Sequence, residues 1–252
     1  MPAGSEPKIA VVIPARYDSQ RLPGKPLLDL GGRPMIQHVV ERCQRARGIS
    51  RVVVATDDRR IAGAVSGFGA AVEMTSRDCR SGTDRVAEVA HRMEEELFIN
   101  VQGDEPLIEP GAIEELGHAL RTGATLATLC RPAQEGEDLA EPDTAKGVID
   151  ERGDALYFSR APIPHFRDGR PQGALSFVHV GIYGYTRATL FQLADLPQGR
   201  LERAEKLEQL RALEHGLKMR VVPTPYVSMG VDTPDDLARV RELLSTDQRV
   251  LH

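Results

Sequence analysis

Three basic side chains lie within ten residues of one another, immediately after an apolar run near the N-terminus. The run is Ile9–Ile13, and the loop that follows it, "PARYDSQRLPGK", carries Arg16, Arg21 and Lys25. The chain as a whole has 252 residues and a formal net charge of −5, so this local excess of positive charge opposes the overall balance. Arg makes planar bidentate contacts with phosphate, and Lys supplies a mobile point charge. The loop therefore predicts a site for a triphosphate.

The loop matches neither of two common phosphate-binding motifs. A Walker A loop needs Ser or Thr after its Lys, and here Pro26 follows Lys25. The segment "GFGAAV" that begins at Gly67 has Val where the dinucleotide fingerprint needs its third Gly, which disfavours a nicotinamide-linked dehydrogenase. An ordinary solvated basic loop is the alternative, but Pro14 and Pro23 stiffen the segment and favour a binding loop.

Two aspartates occupy positions where a metal ion could bind. Asp104, in "QGDEP", follows a predicted buried strand, and Asp232, in "GVDTPDDL", precedes a predicted helix. Carboxylates are preferred Mg²⁺ ligands when substrate phosphates and water complete the coordination shell. Asp also caps helix N-termini well, so the spacing alone leaves metal binding and capping both open.

Other polar residues have the same double interpretation. Ser81, Thr83 and Arg85, in "SGTDR", open a predicted helix, where Ser81 or Thr83 could be the N-cap. His179 and Tyr183, in "HVGIYGY", would point to one face of a strand, as structural residues or as ligand contacts.

A third group lies on a predicted helix. Glu202, Glu205 and Gln209 are spaced i, i+3 and i+7, which places them on one helical face. That face is either a solvated surface or a binding surface.

Short apolar runs alternate with helical patterns, which predicts an α/β fold with a mostly parallel sheet. Ligands of such sheets bind at the carboxyl ends of the strands, where the basic loop and Asp104 are expected. Residues 124–185 read as a β-rich lobe within a single domain, 1–252. The predicted strands are Ile9–Ile13, Arg51–Thr56, Ala71–Met74 and Phe98–Val101, and the predicted helices are Met35–Arg47, one that follows Asp57-Asp58 and runs through Val65, Asp84–Glu96, Ile113–Leu120, Leu201–Glu214 and Pro234–Leu244.

Composition bounds the class of protein. The negative net charge argues against general affinity for nucleic acid or for membrane surfaces, and the apolar runs are far too short to span a membrane. Three distant cysteines fit neither a disulfide framework nor a metal motif, and the N-terminus lacks signal-peptide features. We expect a cytoplasmic enzyme.

The motifs together resemble a known family. In chain order they are "PARYDSQRLPGKPLLDLGGRPMIQHV", "VVVATDD", "SGTDRVAEV", "NVQGDEPLI", "ALYFSR", "HVGIYGY", "LERAEKLEQLRALEHG" and "GVDTPDDLARV". They resemble the 3-deoxy-manno-octulosonate (Kdo) cytidylyltransferase, or CMP-Kdo synthetase, family of sugar-acid nucleotidyltransferases. The resemblance implies a Rossmann-like nucleotidyltransferase fold, CTP as a substrate, Mg²⁺ as the cofactor, and a homodimer formed through the β-rich lobe.

The resemblance also implies roles for individual residues. Arg16, Lys25, Asp104 and Asp232 would be catalytic, with Asp104 and Asp232 as the Mg²⁺ ligands. Nucleotide contacts would come from Ala15, Arg16, Arg21, Lys25, Arg77, Ser81, Thr83, Arg85 and Asp104. Acceptor contacts would come from Gln102, Ser159, Arg160, His179, Tyr183, Glu202 and Gln209.

The expected reaction transfers CMP from CTP to an acidic acceptor, with Kdo as the first choice. The chain departs from the family pattern at Val178, at His165-Phe166 and at Gly147, all in the β-rich lobe. Two alternatives therefore keep the chemistry and change the acceptor, either to 8-amino-Kdo or to a phosphonate such as phosphonoformate. A further alternative is a non-catalytic nucleotide-binding protein.

Overall fold

The protein has the α/β architecture that the sequence predicts. The computed structural model describes residues 6–18, 21–134, 136–169 and 176–250. Ser19 and Gln20 of the basic loop lie outside the described residues. So do the first five residues, on which part of the prediction about signal-peptide features rests. Within the described ranges, every helix is too short or too polar to traverse a lipid bilayer.

The elements alternate along the chain in the βα order expected. The described strands are β1 (Ile9–Ala15), β2 (Asp29–Leu30), β3 (Arg33–Pro34), β4 (Arg51–Thr56), β5 (Ala71–Met74), β6 (Leu97–Asn100), β7 (Leu126–Pro132), β8 (Lys146–Ile149), β9 (Ala155–Ser159), β10 (Phe177–Thr186) and β11 (Arg220–Pro223). The described helices are α1 (Met35–Arg45), α2 (Arg59–Gly67), α3 (Gly82–Ala90), α4 (Pro110–Arg121), α5 (Arg187–Asp195), α6 (Arg200–Glu205), α7 (Gln209–Glu214) and α8 (Pro234–Val250).

Nine of these strands form one sheet, whose main order is β11-β7-β10-β6-β1-β4-β5. The pairs β6–β1, β1–β4, β4–β5 and β11–β7 are parallel, whereas β10 runs antiparallel to both of its neighbours, β6 and β7. The main strand order is therefore mostly parallel, and the carboxyl ends of β1 and β6 lie side by side.

Helices cover both faces of the sheet, which explains the continuous apolar runs of its strands. In β1, Ile9, Val11 and Ile13 pack on the side covered by α1, α2 and α4. Ala10 and Val12 of the same strand pack on the opposite side, with α3, α5 and α7. The strand period of two residues thus divides one apolar run between two cores.

The β-rich segment 124–185 is continuous with the main sheet. Its strands β7 and β10 are internal strands, and β8 and β9 extend the sheet beside β10. The described part of the apolar stretch "LSFVHVGIYGY" therefore contributes a central strand from Phe177 onwards. Close packing explains the glycine at position 147 of β8. A Cβ on Gly147 would stand 3.1 Å from the Phe158 ring and 3.4 Å from Cys130 Sγ.

The prediction of one helix over Leu201–Glu214 is wrong. Lys206 adopts a left-handed conformation with φ of 55°, and it separates α6 from α7. A left-handed residue cannot continue a right-handed helix, so the common face predicted from helical spacing does not exist. The predicted face comprised Glu202, Glu205 and Gln209, and these three residues have different surroundings, described below.

Other elements also differ from prediction. The helix expected over Asp84–Glu96 ends at Ala90, because the chain turns there to enter β6. Helix α5 and strand β11 were not predicted, since a short amphipathic segment and a four-residue edge strand give weak sequence patterns.

The C-terminal helix docks on the N-terminal part of the chain through a separate apolar cluster. Leu237 and Val240 of α8 and Val231, just before it, pack against Leu30 and Met35. This contact returns the chain, more than two hundred residues later, to the loop that carries the three cations.

A buried ion pair joins the two halves of the broken helix and yields a stability prediction. Glu202 and Arg211 make two hydrogen bonds, of 2.9 and 2.7 Å, and their side chains are only 5% and 4% exposed. Replacing Glu202 with Ala leaves a buried guanidinium without this partner, so we expect the free energy of unfolding to fall by about 3–5 kcal/mol. Urea unfolding measures this loss.

The exposed pair Arg47–Glu114 is the matched control, because it has the same bidentate chemistry with Arg47 88% exposed. Solvent screens such pairs, so Glu114→Ala should cost far less than Glu202→Ala. Equal losses in the two variants would contradict the prediction.

Candidate active site

A cleft of about 470 Å³ opens at the carboxyl ends of β1 and β6. Nine residues predicted for the site line it: Ala15, Arg16, Arg21, Lys25, Ser81, Arg85, Gln102, Asp104 and Asp232. Its lining includes five basic side chains, the four just named and Arg80, against three carboxylates, those of Asp104, Asp232 and Glu208. The cleft is therefore basic although the chain is acidic, which suits a polyanionic ligand.

Lys25 lies at the centre of the charged groups in this cleft. Its Nζ is 2.5 Å from Asp104 Oδ2 and 3.0 Å from Asp232 Oδ1, and Arg21 Nη2 is 3.4 Å from Asp232 Oδ2. Burial alone would lower the pKa of Lys25, but its attraction to Asp104 and Asp232 outweighs burial and raises the pKa. The Lys25 amine is therefore protonated at neutral pH and lies between two carboxylates.

Neither aspartate caps a helix, which removes the alternative interpretation of both. Helix α4 begins at Pro110 after Glu109, several residues beyond Asp104. Before α8, Thr233 performs the capping, since its hydroxyl accepts from Asp236 N–H at 3.2 Å and Asp236 Oδ2 accepts from Thr233 N–H at 2.8 Å. Asp104 and Asp232 are thus left to face the cleft.

Close backbone packing places Asp104 beside the basic loop. A Cβ at Gly103 would come within 3.0 Å of Pro14 O, so this approach to the end of β1 requires glycine. Gly24, with φ of 68°, turns the loop so that Lys25 points inward, and its N–H donates to Tyr17 O at 2.9 Å. Short-range geometry on both sides therefore brings Lys25 and Asp104 together.

The segment before α8 is bonded directly to the turn that holds Asp104. Val231 N–H donates to Asp104 O at 2.9 Å, and Ser228 Oγ donates to the Glu105 carboxylate. Burial, together with repulsion from Asp104, raises the pKa of Glu105 to about 7. These bonds fix Asp232 opposite Asp104.

The segment "SGTDR" is partly as predicted. Ser81 is the N-cap of α3, accepting from Asp84 N–H at 3.1 Å, and it also lines the cleft. Arg85 is buried, forms a hydrogen bond with Thr75 Oγ1 and lies 3.4 Å from Asp57 Oδ1. Its orientation is thus set by groups behind the cleft wall.

Two of the predicted nucleotide contacts lie away from the cleft lining. Arg77 is exposed and is not among the lining residues. Thr83 is buried on the inner side of α3, where it borders a smaller cavity with Tyr183 and Tyr185. Their predicted roles are therefore not supported by their positions in this structure.

The predicted acceptor residues His179, Tyr183 and Gln209 form a connected cluster, which we call the inner cluster. Tyr183 Oη donates to Gln209 Oε1 at 3.0 Å, and Gln209 Nε2 is 3.4 Å from His179 Nδ1. Thr128 Oγ1 lies 2.9 Å from His179 Nε2. Burial lowers the pKa of His179 to about 4, so its imidazole is neutral at neutral pH.

Ser159 and Arg160 are bonded to the junction between α6 and α7. Ser159 Oγ donates to Glu205 Oε1 at 2.7 Å, and Arg160 N–H donates to Glu205 Oε2 at 2.9 Å. The Arg160 guanidinium donates to the backbone carbonyls of Pro142, Glu205 and Lys206. In this structure Arg160 therefore stabilises the left-handed junction, and neither residue lines the cleft.

Of the remaining predicted residues, Gln102 lies in the cleft and Glu202 does not. Gln102 Nε2 donates to the buried Asn100 Oδ1 at 3.2 Å, which orients its amide at the floor. Glu202 is buried in its pair with Arg211.

Three cleft residues with a charged or thiol side chain were not predicted from the sequence, namely Cys79, Arg80 and Glu208. Glu208 also borders the smaller cavity next to Tyr183 and Gln209, so it connects the cleft to the inner cluster. Burial raises the pKa of Glu208. Its position between the acceptor candidates Glu202 and Gln209 was the available signal.

Asp104 and Asp232 are the residues of the cleft that could hold a divalent cation. Within the described ranges, no group of three or more His, Cys, Asp or Glu side chains is arranged to bind a metal. Two carboxylates that already share one cationic partner suit an ion that takes its other ligands from substrate and water, as Mg²⁺ does.

Comparison with known proteins agrees with this description. A family model described as Cytidylyltransferase matches residues 10–219. The 3-deoxy-manno-octulosonate cytidylyltransferase of Anaeromyxobacter sp. (strain Fw109-5) is 54% identical over 244 residues, which cover 96% of this chain and 99% of that protein. The protein of the same name from Geobacter sulfurreducens is 52% identical over 250 residues, covering 94% and 99%.

A solved structure is also similar over nearly the whole chain. The structure of CMP:2-keto-3-deoxy-manno-octonic acid synthetase complexed with CTP has a TM-score of 0.90 and 47% sequence identity, covering 95% of this chain and 99% of that one. The resemblance inferred from the sequence motifs is thereby confirmed: the chain belongs to the 3-deoxy-manno-octulosonate cytidylyltransferases of the cytidylyltransferase family.

Proposed function

We propose that this protein transfers CMP from CTP to Kdo and releases pyrophosphate. The observation that carries the proposal is the meeting of Asp104 and Asp232 at Lys25 inside a basic cleft. The curated relatives carry the name of this activity, and the similar solved structure contains CTP. The intact cleft argues against a non-catalytic nucleotide-binding protein.

We further propose that Asp104 and Asp232 hold Mg²⁺ when CTP is bound. Both offer hard carboxylate oxygens, and the triphosphate would supply further ligands. When bound, the ion would stabilise negative charge on the phosphates and lower the pKa of a coordinated hydroxyl. Lys25, which now lies between the carboxylates, would turn its ammonium towards the phosphates.

The proposed role of the protein in the reaction is positioning and charge neutralisation. The anomeric hydroxyl oxygen of Kdo forms a bond to the α-phosphorus and releases its proton to water, while the bond from that phosphorus to the bridging oxygen breaks and pyrophosphate leaves. Arg16, Arg21 and Lys25 lie where they could hold the triphosphate and neutralise the charge of the leaving group. Ser81 and Arg85 also line the cleft, and we propose that the nucleoside end of CTP lies beside them.

The inner cluster is the proposed acceptor side. His179, Tyr183 and Gln209 offer neutral polar groups behind Glu208, which suits recognition of sugar hydroxyls. The departure at Val178 does not disturb this face, because Val178 precedes His179 in β10 and is buried on the other side. His165 is exposed.

Two further properties remain proposals. We propose that the protein acts as a homodimer, and Leu156 on β9, with 62% of its surface exposed, is an apolar group that a second copy could cover. A solution mass of one chain would argue against this. The proposed location is the cytoplasm, where CTP is available.

The direct test of the function is pyrophosphate release from CTP and Mg²⁺, with Kdo and phosphonoformate in separate reactions and the products identified by mass. We expect turnover with Kdo. Turnover only with the phosphonate would make the phosphonate the acceptor. CTP binding without turnover of either compound would leave 8-amino-Kdo as the acceptor or a non-catalytic nucleotide-binding protein.

Replacing Asp104 with Asn should test the metal site. The variant keeps the size of the side chain but loses a charged ligand, so we expect kcat to fall by about 100- to 1000-fold. KM for CTP should change little, because the basic loop is intact, and higher Mg²⁺ concentration should restore part of the activity. Steady-state kinetics at several Mg²⁺ concentrations measures both effects.

The exposed Asp195, at the end of α5, supplies the matched control, and Asp195→Asn should have wild-type kinetics. Wild-type kcat with an unchanged Mg²⁺ requirement in Asp104→Asn would remove Asp104 from the proposed site.

The burial of His179 predicts a pH-dependent contribution to stability. Its native pKa of about 4 lies below the ordinary value of about 6.5, so between these values the unfolded chain binds a proton that the native protein does not. The contribution of His179 to the free energy of unfolding therefore falls as pH drops from about 6.5 to 4, by up to about 3 kcal/mol.

The measurement is the difference in unfolding free energy between wild type and His179→Gln across this pH range. Glu105, whose raised pKa acts in the opposite direction, is present in both proteins and cancels in the difference. A difference that stays constant between pH 6.5 and 4 would show that His179 titrates normally.

A further inference from the structure

One wall of the cleft is a short loop between β5 and α3. We call residues 75–81, "TSRDCRS", the nucleotide-side loop. Cys79, Arg80 and Ser81 of this loop line the cleft. A loop of this kind needs anchors behind it if its lining residues are to keep fixed positions.

A single carboxylate on α3 supplies two of these anchors. Glu88 Oε2 accepts from Ser76 N–H at 2.9 Å and from Cys79 Sγ at 3.2 Å, so it bonds the loop at two places three residues apart. Glu88 itself does not line the cleft. Its contacts with the loop are therefore made entirely from behind the wall.

The carboxylate is itself held in place. Arg92, one turn further along the chain, donates to Glu88 Oε1 at 2.6 Å and also to Met74 O at 2.8 Å, at the end of β5. Burial alone would raise the pKa of Glu88, but the bonds from Ser76 and Cys79 and the charge of Arg92 lower it. Glu88 is thus a fixed, ionised acceptor at neutral pH.

A second carboxylate repeats the arrangement one helical turn earlier. Asp84 Oδ2 accepts from Arg80 N–H at 3.0 Å, while Asp84 N–H donates to Ser81. Positions i and i+4 lie on one face of a helix, so Asp84 and Glu88 together present a row of acceptors to the loop. These two carboxylates of α3 hold the loop at Ser76, Cys79 and Arg80.

We propose that Glu88 is a positioning residue for nucleotide binding, which acts by holding the nucleotide-side loop in the conformation that receives CTP. The inference rests on the proposed function, since it takes CTP as the ligand of this wall. It predicts that loosening the loop weakens CTP binding more than it affects the acceptor or the chemical step.

The loop contains its own reporter. Cys43 and Cys130 are buried, whereas Cys79 is partly exposed. Burial, assisted by the hydrogen bond to Glu88, raises the pKa of Cys79 to about 11. A thiol reagent applied to the native protein should therefore react slowly and at Cys79, and Cys79→Ser, which removes that thiol, assigns the signal.

The test compares wild type with Glu88→Gln, which keeps the side-chain size and removes the charge. We expect the labelling rate of Cys79 to rise by roughly threefold to tenfold, because the loop opens and the carboxylate no longer disfavours the thiolate. We expect the CTP concentration that halves the labelling rate to rise by about tenfold. KM for CTP should rise similarly, with kcat and the acceptor KM close to wild type.

Two further variants complete the design. Glu94→Gln makes the same change at an exposed glutamate beyond the end of α3 and should match wild type. Arg92→Gln frees the Glu88 carboxylate without removing it and should give a smaller effect in the same direction, so it replaces Glu88→Gln if that variant fails to fold.

Unchanged labelling and unchanged CTP protection in Glu88→Gln would overturn the proposal. A fall in kcat with similar rises in both KM values and a lower melting temperature would also overturn it, since these changes would show general destabilisation. Protection from labelling needs no acceptor and no turnover. The positioning role can therefore succeed or fail independently of the acceptor identity.

Discussion

The ammonium of Lys25, shared by Asp104 and Asp232, is the interaction on which the organisation of the site depends. The two carboxylates belong to segments 79 and 207 residues away from Lys25 in sequence, and without a cation between them they would repel each other. The parallel sheet brings the ends of β1 and β6 together, Gly103 permits close backbone approach, and the apolar cluster around α8 returns the C-terminal segment to the loop. Together these contacts bring Lys25, Asp104 and Asp232 within hydrogen-bonding distance.

The local charge balance of the cleft opposes that of the chain. Basic side chains outnumber carboxylates in the lining although the net charge of the protein is −5. The surplus is concentrated where several segments meet, so it would attract a triphosphate without giving the whole surface affinity for polyanions. Lys25 stays charged because its two partners outweigh the effect of burial.

The protein uses two kinds of polar environment side by side. The cleft contains formal charges near solvent, whereas the inner cluster around His179 is partly buried, neutral and linked by hydrogen bonds. Glu208 lies at their border. Buried polar groups are stable only when they are paired, and the buried ammonium of Lys146 meets this requirement by donating to the backbone carbonyl of Glu141 within the lobe. The bonds of Glu205 with Ser159 and Arg160 hold the β-rich lobe against α6.

The sequence by itself determined the fold class, most strand positions, the phosphate-suited loop and the family. Alternating apolar runs and ordered motifs are local signals, and Ala15, Arg16, Arg21, Lys25 and Asp104 could be assigned to one sheet edge because parallel strands end together. Only the tertiary structure decided which polar residues face a ligand. Lys206 breaks a helix that the residue pattern predicts as continuous, so Glu202 turns to Arg211, Glu205 turns to Arg160, and Glu208 enters the cleft. The physical reason is that a side chain's partner depends on distant segments, which periodicity along one segment does not encode.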